Sequence, residues 1–289
     1  MNANISQILD LEFLDTNLFR SKYHRENFRK TLFGGQVLSQ ALMAAFRTCD
    51  QGLPHSLHAY FLRAGSSESP VIYDVERVRD GRHFNSRRAV ARQFGRPIFN
   101  MSVSFHVQEE GFFHQEPMPG NIPTPEELIA KYAKASGRSY IPTGTREPGH
   151  EASPFEIVPI VEDTFTSPTR QEPNACYWLR TTEALPKDTI FHCCALAFAS
   201  DIGLLATALL PHPVTIIDST IFAASIDHAM WFHSHEFEAD QWLLCKSHSP
   251  WAGGARGFAT AHVYTREGQL VATSAQEGLI RPILGTANN

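Results

Sequence analysis

The chain has 289 residues, 43% hydrophobic and 19% charged, the balance of a globular protein with a substantial core and room for about two domains. A formal net charge of −5 leaves no overall basic footprint for nucleic acid, and five irregularly spaced cysteines make no disulfide framework. The first residues carry acids and no basic run, so they do not read as a secretory leader. The closing LGTANN is not a Ser-Lys-Leu address, and a reducing cytoplasm is the expected location.

In chain order, Leu11–His24 reads as an irregular start with one short strand. In Thr31–Thr48, Gly34 and Gly35 break the preceding segment. Val37, Leu38, Ala41, Leu42, Ala45 and Phe46 then recur at helical spacing, predicting an apolar helix whose Gly34–Phe46 stretch holds no acid. The period next changes to two. Strands are predicted at Ser56–Leu62, Val71–Arg79, Phe84–Gln93 and Pro97–Gln108, the last two joined by a hairpin at Phe94-Gly95-Arg96.

Gly111–Ser153 is interrupted by prolines at 117, 119, 123, 125, 142 and 148 and reads as a linker between residues 1–110 and 154–289. One helix is predicted inside it, at Thr124–Ala135. There Thr124 and Glu127 form a capping box, with Pro125 at the first helical position.

The second half repeats the layout of the first. Strand-like Ala175–Thr181 precedes Phe191–Leu210, which is apolar almost all round and reads as a buried helix with one formal charge, Asp201. A buried carboxylate is costly unless it is bonded, paired or protonated, and it is tolerated mostly where it has a task. The plainer reading makes Ser200 and Asp201 a cap for Ile202–Leu210. A membrane span is not expected, because Asp201 lies mid-run and Pro211 ends it. Cys193 and Cys194 read as small buried hydrophobes. Strands are predicted next at Ala223–His233, Gln241–Ser247, Gly254–Tyr264 and Leu270–Leu279. Gly95 and Gly268 lie 173 positions apart and Phe99 and Val271 lie 172 apart, so each half is one helix followed by an antiparallel meander. Such a unit is a curved sheet around its own helix, an α+β architecture, and two copies can pair edge to edge.

Several segments resemble the acyl-CoA thioesterase II family, whose members are double hotdog proteins. They are FGGQVLSQAL (Phe33–Leu42), HAYFLRAG (His58–Gly65), YDVERVRDGRHFNSRR (Tyr73–Arg88), ASD (Ala199–Asp201), SIDHAMWFH (Ser225–His233), ARGF (Ala255–Phe258) and QEG (Gln276–Gly278). They span nearly the whole chain in family order. The resemblance implies two tandem hotdog units, hydrolysis of fatty acyl-CoA to free acid and CoA, and assembly into homo-oligomers; no cofactor or metal is expected. It also implies a site of Asp201, Ser225 and Gln276, with Ser225 standing where the family often has Thr.

The chemistry suits these residues. A desolvated carboxylate can take a proton from a water that attacks the thioester carbonyl, and a hydroxyl and an amide can hold that water. Backbone N–H groups at a helix start are candidate oxyanion donors. No G-x-S-x-G elbow supports a serine nucleophile. Asp227 is a rival carboxylate, because Ser225, Asp227, Ala229 and Trp231 share one face by parity. Gln276 falls opposite Ser104 at the 172 offset, and the first-half helix has no acid, so the chemistry should reside in the second half. His228, His233 and His235 make a poor metal set, since His228 points away from the others. Arg87, Arg88 and Arg256 are either CoA-phosphate contacts or solvated strand charges. A non-catalytic acyl-CoA- or lipid-binding hotdog protein is the alternative reading, and an enoyl-CoA hydratase ranks below it.

Overall fold

A computed structural model describes residues 4–24, 30–136 and 153–283. The prolines at 142 and 148 and the C-terminal LGTANN lie outside them. The described elements are α1 (Ile5–Leu9), β1 (Leu11–Asp15), β2 (Leu18–Ser21), α2 (Gly34–Phe46), β3 (Leu53–Phe61), β4 (Ile72–Asp80), β5 (Phe84–Gln93), β6 (Arg96–His106) and α3 (Pro125–Ser136). They continue with β7 (Phe155–Pro159), β8 (Asn174–Thr181), α4 (Thr189–Ser200), α5 (Leu204–Leu209), β9 (Ile221–Ser225), β10 (Asp227–Phe232), β11 (Leu243–Gly253), β12 (Arg256–Thr265) and β13 (Leu270–Pro282).

The period-two segments form one antiparallel sheet in the order β1-β2-β4-β5-β6-β3-β10-β13-β12-β11-β8-β7, with β9 beside β13. Each half keeps its meander, and the halves join edge to edge where β3 pairs with β10, Ala229 opposite His58. At the β5–β6 turn, Phe94 and Gly95 both take positive φ (51° and 73°), as a two-residue hairpin with the sheet's own twist requires.

Helices α2 and α4 pack on each other under the two half-sheets, and one contiguous core holds both. They fit closely because Gly35 carries no side chain: a Cβ there would stand 2.3 Å from the Phe198 carbonyl oxygen. Buried Gln40 ties α2 to its surroundings. It donates to the Ile8 carbonyl at 2.7 Å and accepts from Tyr73 Oη at 2.6 Å.

Three expectations change. The Phe191–Leu210 helix is broken. Asp201 is the C-cap of α4, and α5 begins only after Gly203, at φ 91°. Neither Ser200 nor Asp201 caps α5, whose N-cap Gly203 makes no side-chain cap bond. Thr189–Leu209 is long and apolar enough to cross a membrane by length and composition, yet 67% of that window is buried in the protein. The Ala223–His233 strand is also broken. Ser225 faces Gly278 and Ala229 faces Ala275, so the strand holds one residue more than the facing part of β13. This bulge at Ile226–Asp227 flips the parity of the remaining strand, and His228, Met230 and Phe232 point into the core. Third, in the second half of β6 the buried residues are Met101, Val103 and Phe105, with Ser104 less buried on the other face. The 173 residues that separate the hairpin glycines, counted back from Gln276, lead to Val103, not Ser104.

The stretch read as a linker has structure of its own. The α3 capping box forms, with the Thr124 N–H donating to Glu127 Oε2 at 2.8 Å and the Glu127 N–H to Thr124 Oγ1 at 3.3 Å. Leu128 and Tyr132 bury with Trp178, Trp242, Leu244 and Tyr264, forming a second core on the outer face of the second half-sheet.

Candidate active site

Asp201 is placed by the failure of its helix. Ser200 completes α4, and Ile202 still donates to the Ala199 carbonyl at 2.9 Å. The Ile202 carbonyl instead accepts from Tyr177 Oη at 2.8 Å, and Gly203 turns left-handed. The carboxyl thus projects from a turn rather than from a helix face.

The structure brings the three predicted residues into contact. Ser225, at the end of β9 before the bulge, donates to Asp201 Oδ1 at 3.1 Å. Gln276, in the middle of β13 and only 2% exposed, donates through Nε2 to Asp201 Oδ1 at 2.5 Å and to Ser225 Oγ at 3.0 Å. Its Oε1 accepts no hydrogen bond among the described residues.

A fourth contact comes from the other half. The N-cap of α2 is Phe33, which offers no capping side chain, and the Gly35 N–H donates to the Asp201 carboxylate. Asp201 therefore caps α2 across the joint between halves, at the positive end of that helix. Gly34 makes room for it, since a Cβ there would lie 2.6 Å from Asp201 Oδ2 and 3.0 Å from the Phe61 ring. Burial pushes the Asp201 carboxyl up to about 6, and the bonds from Gln276, Ser225 and Gly35 hold it from rising further. A carboxylate with that affinity can exchange a proton with water near neutrality.

Sequence reasoning missed Gly34 and Gly35. It read the pair only as a break between the preceding segment and the helix, while paired glycines at the start of an apolar helix also signal close backbone approach.

The other candidates separate from this cluster. Asp227, across the bulge, accepts the Glu277 N–H at 2.7 Å. His228 Nε2 meets Ser200 Oγ at 2.9 Å, His233 meets Thr273 Oγ1 at 2.8 Å, and His235 meets the Pro54 carbonyl at 2.9 Å. Among the described residues no His, Cys, Asp or Glu group is placed to hold a metal ion. Cys193 and Cys194 are fully buried, and burial raises both thiols. Arg87 is 1% exposed. It donates to Thr48, Arg79, Ser86 and Asp80, so no face is open to a phosphate. Arg88 and Arg256 lie at the surface within 3.9 Å of Glu76 and 3.5 Å of Glu277.

Two half-sheets, each wrapped on one helix, with a carboxyl–hydroxyl–amide cluster at their joint, define a tandem hotdog hydrolase. The comparisons agree. The family model described as the acyl-CoA thioesterase N-terminal domain matches residues 24–106, and that of the C-terminal domain matches residues 132–280. The chain is 39% identical over 287 residues to human acyl-coenzyme A thioesterase 8, covering 96% of this chain and 88% of that one. It is 36% identical to acyl-CoA thioesterase 2 of Haemophilus influenzae, covering 96% and 97%. It superposes on the crystal structure of an acyl-CoA thioesterase II from Mycobacterium marinum with a TM-score of 0.78 at 37% identity, covering 97% and 99%. The chain belongs to the acyl-CoA thioesterase II family and is a thioester hydrolase.

Proposed function

We propose that this protein hydrolyses fatty acyl-CoA to free acid and CoA, with Asp201 as the general base for an attacking water and Ser225 and Gln276 holding the base and the water. The observation that carries this reading is the convergence of Ser225, Gln276 and the Gly35 N–H on one desolvated carboxylate. Asp201 takes a proton from the water as its oxygen bonds to the thioester carbon. The tetrahedral oxyanion forms beside the N-terminus of α2, whose backbone N–H groups and positive end favour it. When the C–S bond breaks, the thiolate recovers the proton from Asp201, leaving the acid and CoA-SH. The aromatic rings packed beside the cluster, Phe33, Phe61 and Phe198, support an apolar acyl group.

Release of free thiol from an acyl-chain series tests the reading. Wild type is expected to turn over. Asp201→Asn is expected to lose at least about 100-fold in kcat, within the range general-base catalysis contributes. An Asp201→Asn protein with the wild-type rate would remove the base from the scheme. A binder that does not hydrolyse would take up acyl-CoA without releasing thiol.

We further propose that the chain works in a reducing cytoplasm as a homo-oligomer. Five free thiols support the first, and the exposed Phe112 and Phe113 rings support the second. Sedimentation velocity tests the assembly.

A further inference from the structure

Asp201 is held by more than its three partners. Its neighbours in the chain are each gripped by a buried polar side chain, and the two grips come from strands far apart in the second half-sheet. On one side Tyr177 of β8, 2% exposed, donates its hydroxyl to the Ile202 carbonyl at 2.8 Å. On the other side His228 of β10, 1% exposed, meets Ser200 Oγ at 2.9 Å. Ser200 directs its own proton to the Ala197 carbonyl at 2.8 Å, so His228 Nε2 must be the donor. That leaves Nδ1 as a buried acceptor without a partner among the described residues. Burial lowers His228 to about 4, so the imidazole remains a neutral donor throughout the working range. A core position that served packing alone would be better filled by an apolar side chain, because the unpaired nitrogen is a standing cost. Gly203 completes the arrangement. A Cβ there would approach Tyr177 Oη to 2.9 Å, so the glycine allows both the left-handed turn and the close hydroxyl.

We infer that Tyr177 and His228 are positioning residues for the hydrolysis, pinning the Ile202 carbonyl and the Ser200 hydroxyl so that the turn between them aims Asp201 at Ser225, Gln276 and the start of α2. The inference rests on the assignment of Asp201 as the base. Both act through the chain neighbours of Asp201, Tyr177 through the Ile202 carbonyl and His228 through the Ser200 hydroxyl. The order β10-β13-β12-β11-β8 puts Gln276 of β13 between the two grips, so the turn is fixed against the same sheet that delivers its partner.

The consequence is a linked change in rate and in proton affinity. A turn freed at either end lets the carboxylate swing toward water, which lowers its proton affinity and misaligns it. The titratable groups on the elements packed around Asp201 include His228 and Asp227 of β10, Glu277 and Arg281 of β13, Cys176, Tyr177 and Arg180 of β8, and His192, Cys193 and Cys194 of α4. Burial and the bonds from Gln276, Ser225 and Gly35, rather than a charged partner, set the proton affinity of Asp201, so a moved acid limb reports its solvation and its hydrogen bonds.

The test compares Tyr177→Phe, His228→Leu and His228→Gln with Asp201→Asn and wild type, each assayed well below its own unfolding temperature. Tyr177→Phe and His228→Leu are expected to lower kcat about tenfold or more with KM within about twofold. Both should move the acid limb of kcat/KM from near 6 toward the ordinary carboxylate value. His228→Gln, which restores a donor, is expected to regain most of kcat. Folded Tyr177→Phe and His228→Leu proteins that keep the wild-type kcat and acid limb, and lose only thermal stability, would overturn the inference. If Asp201→Asn itself keeps full rate, the assignment of the base fails, whatever the other variants do.

Discussion

At the scale of the residue, the burial that suits Asp201 to the proposed role of base also works against folding. Its carboxyl titrates near 6 in the folded protein against 3.8 in the open chain. The folded state therefore binds the proton more tightly. The stability this contributes is present at pH values below 3.8 and is lost as pH rises through 6. Relative to Asp201→Asn, the wild type should lose up to about 3 kcal/mol between pH 4 and pH 7, measurable by urea unfolding across that range. Activity runs the opposite way: kcat/KM should climb with pH and level off above about 6, because only the ionised form accepts a proton. Arg87 gives a contrasting case. Its guanidinium satisfies Thr48, Arg79 and Ser86 carbonyls in the core, so Arg87→Ala strands several buried acceptors. The expected cost is about 2–4 kcal/mol of stability with KM for acyl-CoA unchanged in the folded fraction, read by thermal unfolding beside steady-state kinetics.

At the scale of the element, the two core helices differ in how their first turns are satisfied. Helix α4 caps itself: Asp188 accepts from the Ile190 N–H at 3.3 Å. Helix α2 brings no such side chain and takes its cap from Asp201. The two glycines at its start do separate work. Gly35→Ala would drive a Cβ into the Phe198 backbone at 2.3 Å, which nothing flexible can relieve. It is expected to destabilise by about 1–3 kcal/mol, seen as a lower unfolding midpoint. Gly34→Ala would press instead on the Asp201 carboxylate and the Phe61 ring, both side chains able to move. It is expected to spare most of the stability while cutting kcat about tenfold or more, since the carboxylate must leave its place. The bulge at Ile226–Asp227 is the other decisive element. One extra residue lets Ser225 reach the site while Asp227 bonds Glu277 and His228 turns into the core.

At the scale of the whole molecule, the site sits on the joint between the halves. The first half supplies the Gly35 N–H, the second supplies Asp201, Ser225 and Gln276, and β3–β10 pairing with α2–α4 packing holds them in place. Each half expressed alone is expected to release no thiol from acyl-CoA. Co-expression as two chains should restore a measurable rate, because the joint is made of strand pairing and helix contact rather than of the covalent connection. Among its described residues the first half shows no counterpart of this cluster. The β6 position corresponding to Gln276 is Val103, buried and apolar.

The features legible in the linear order are those set by local interactions. Hydrophobic periodicity, the glycine-bearing hairpins and the Thr124–Glu127 capping box act over a few residues. They placed the α2 helix, the meanders and α3 within a few positions of where they stand. A lone acid in an apolar run likewise singled out Asp201, whereas Ser225 and Gln276 were named only through the family resemblance. Events caused by distant partners left no such mark. Tyr177 stops α4 by taking a carbonyl, Glu277 folds a bulge into the Ala223–His233 strand, and Phe198 closes on Gly35. Local patterning thus sufficed for the elements, the repeat and the one acid in the apolar run. Only tertiary structure decided the direction of each side chain and the contribution of α2, because a break, a bulge or a shared cap arises where backbone groups meet across the fold.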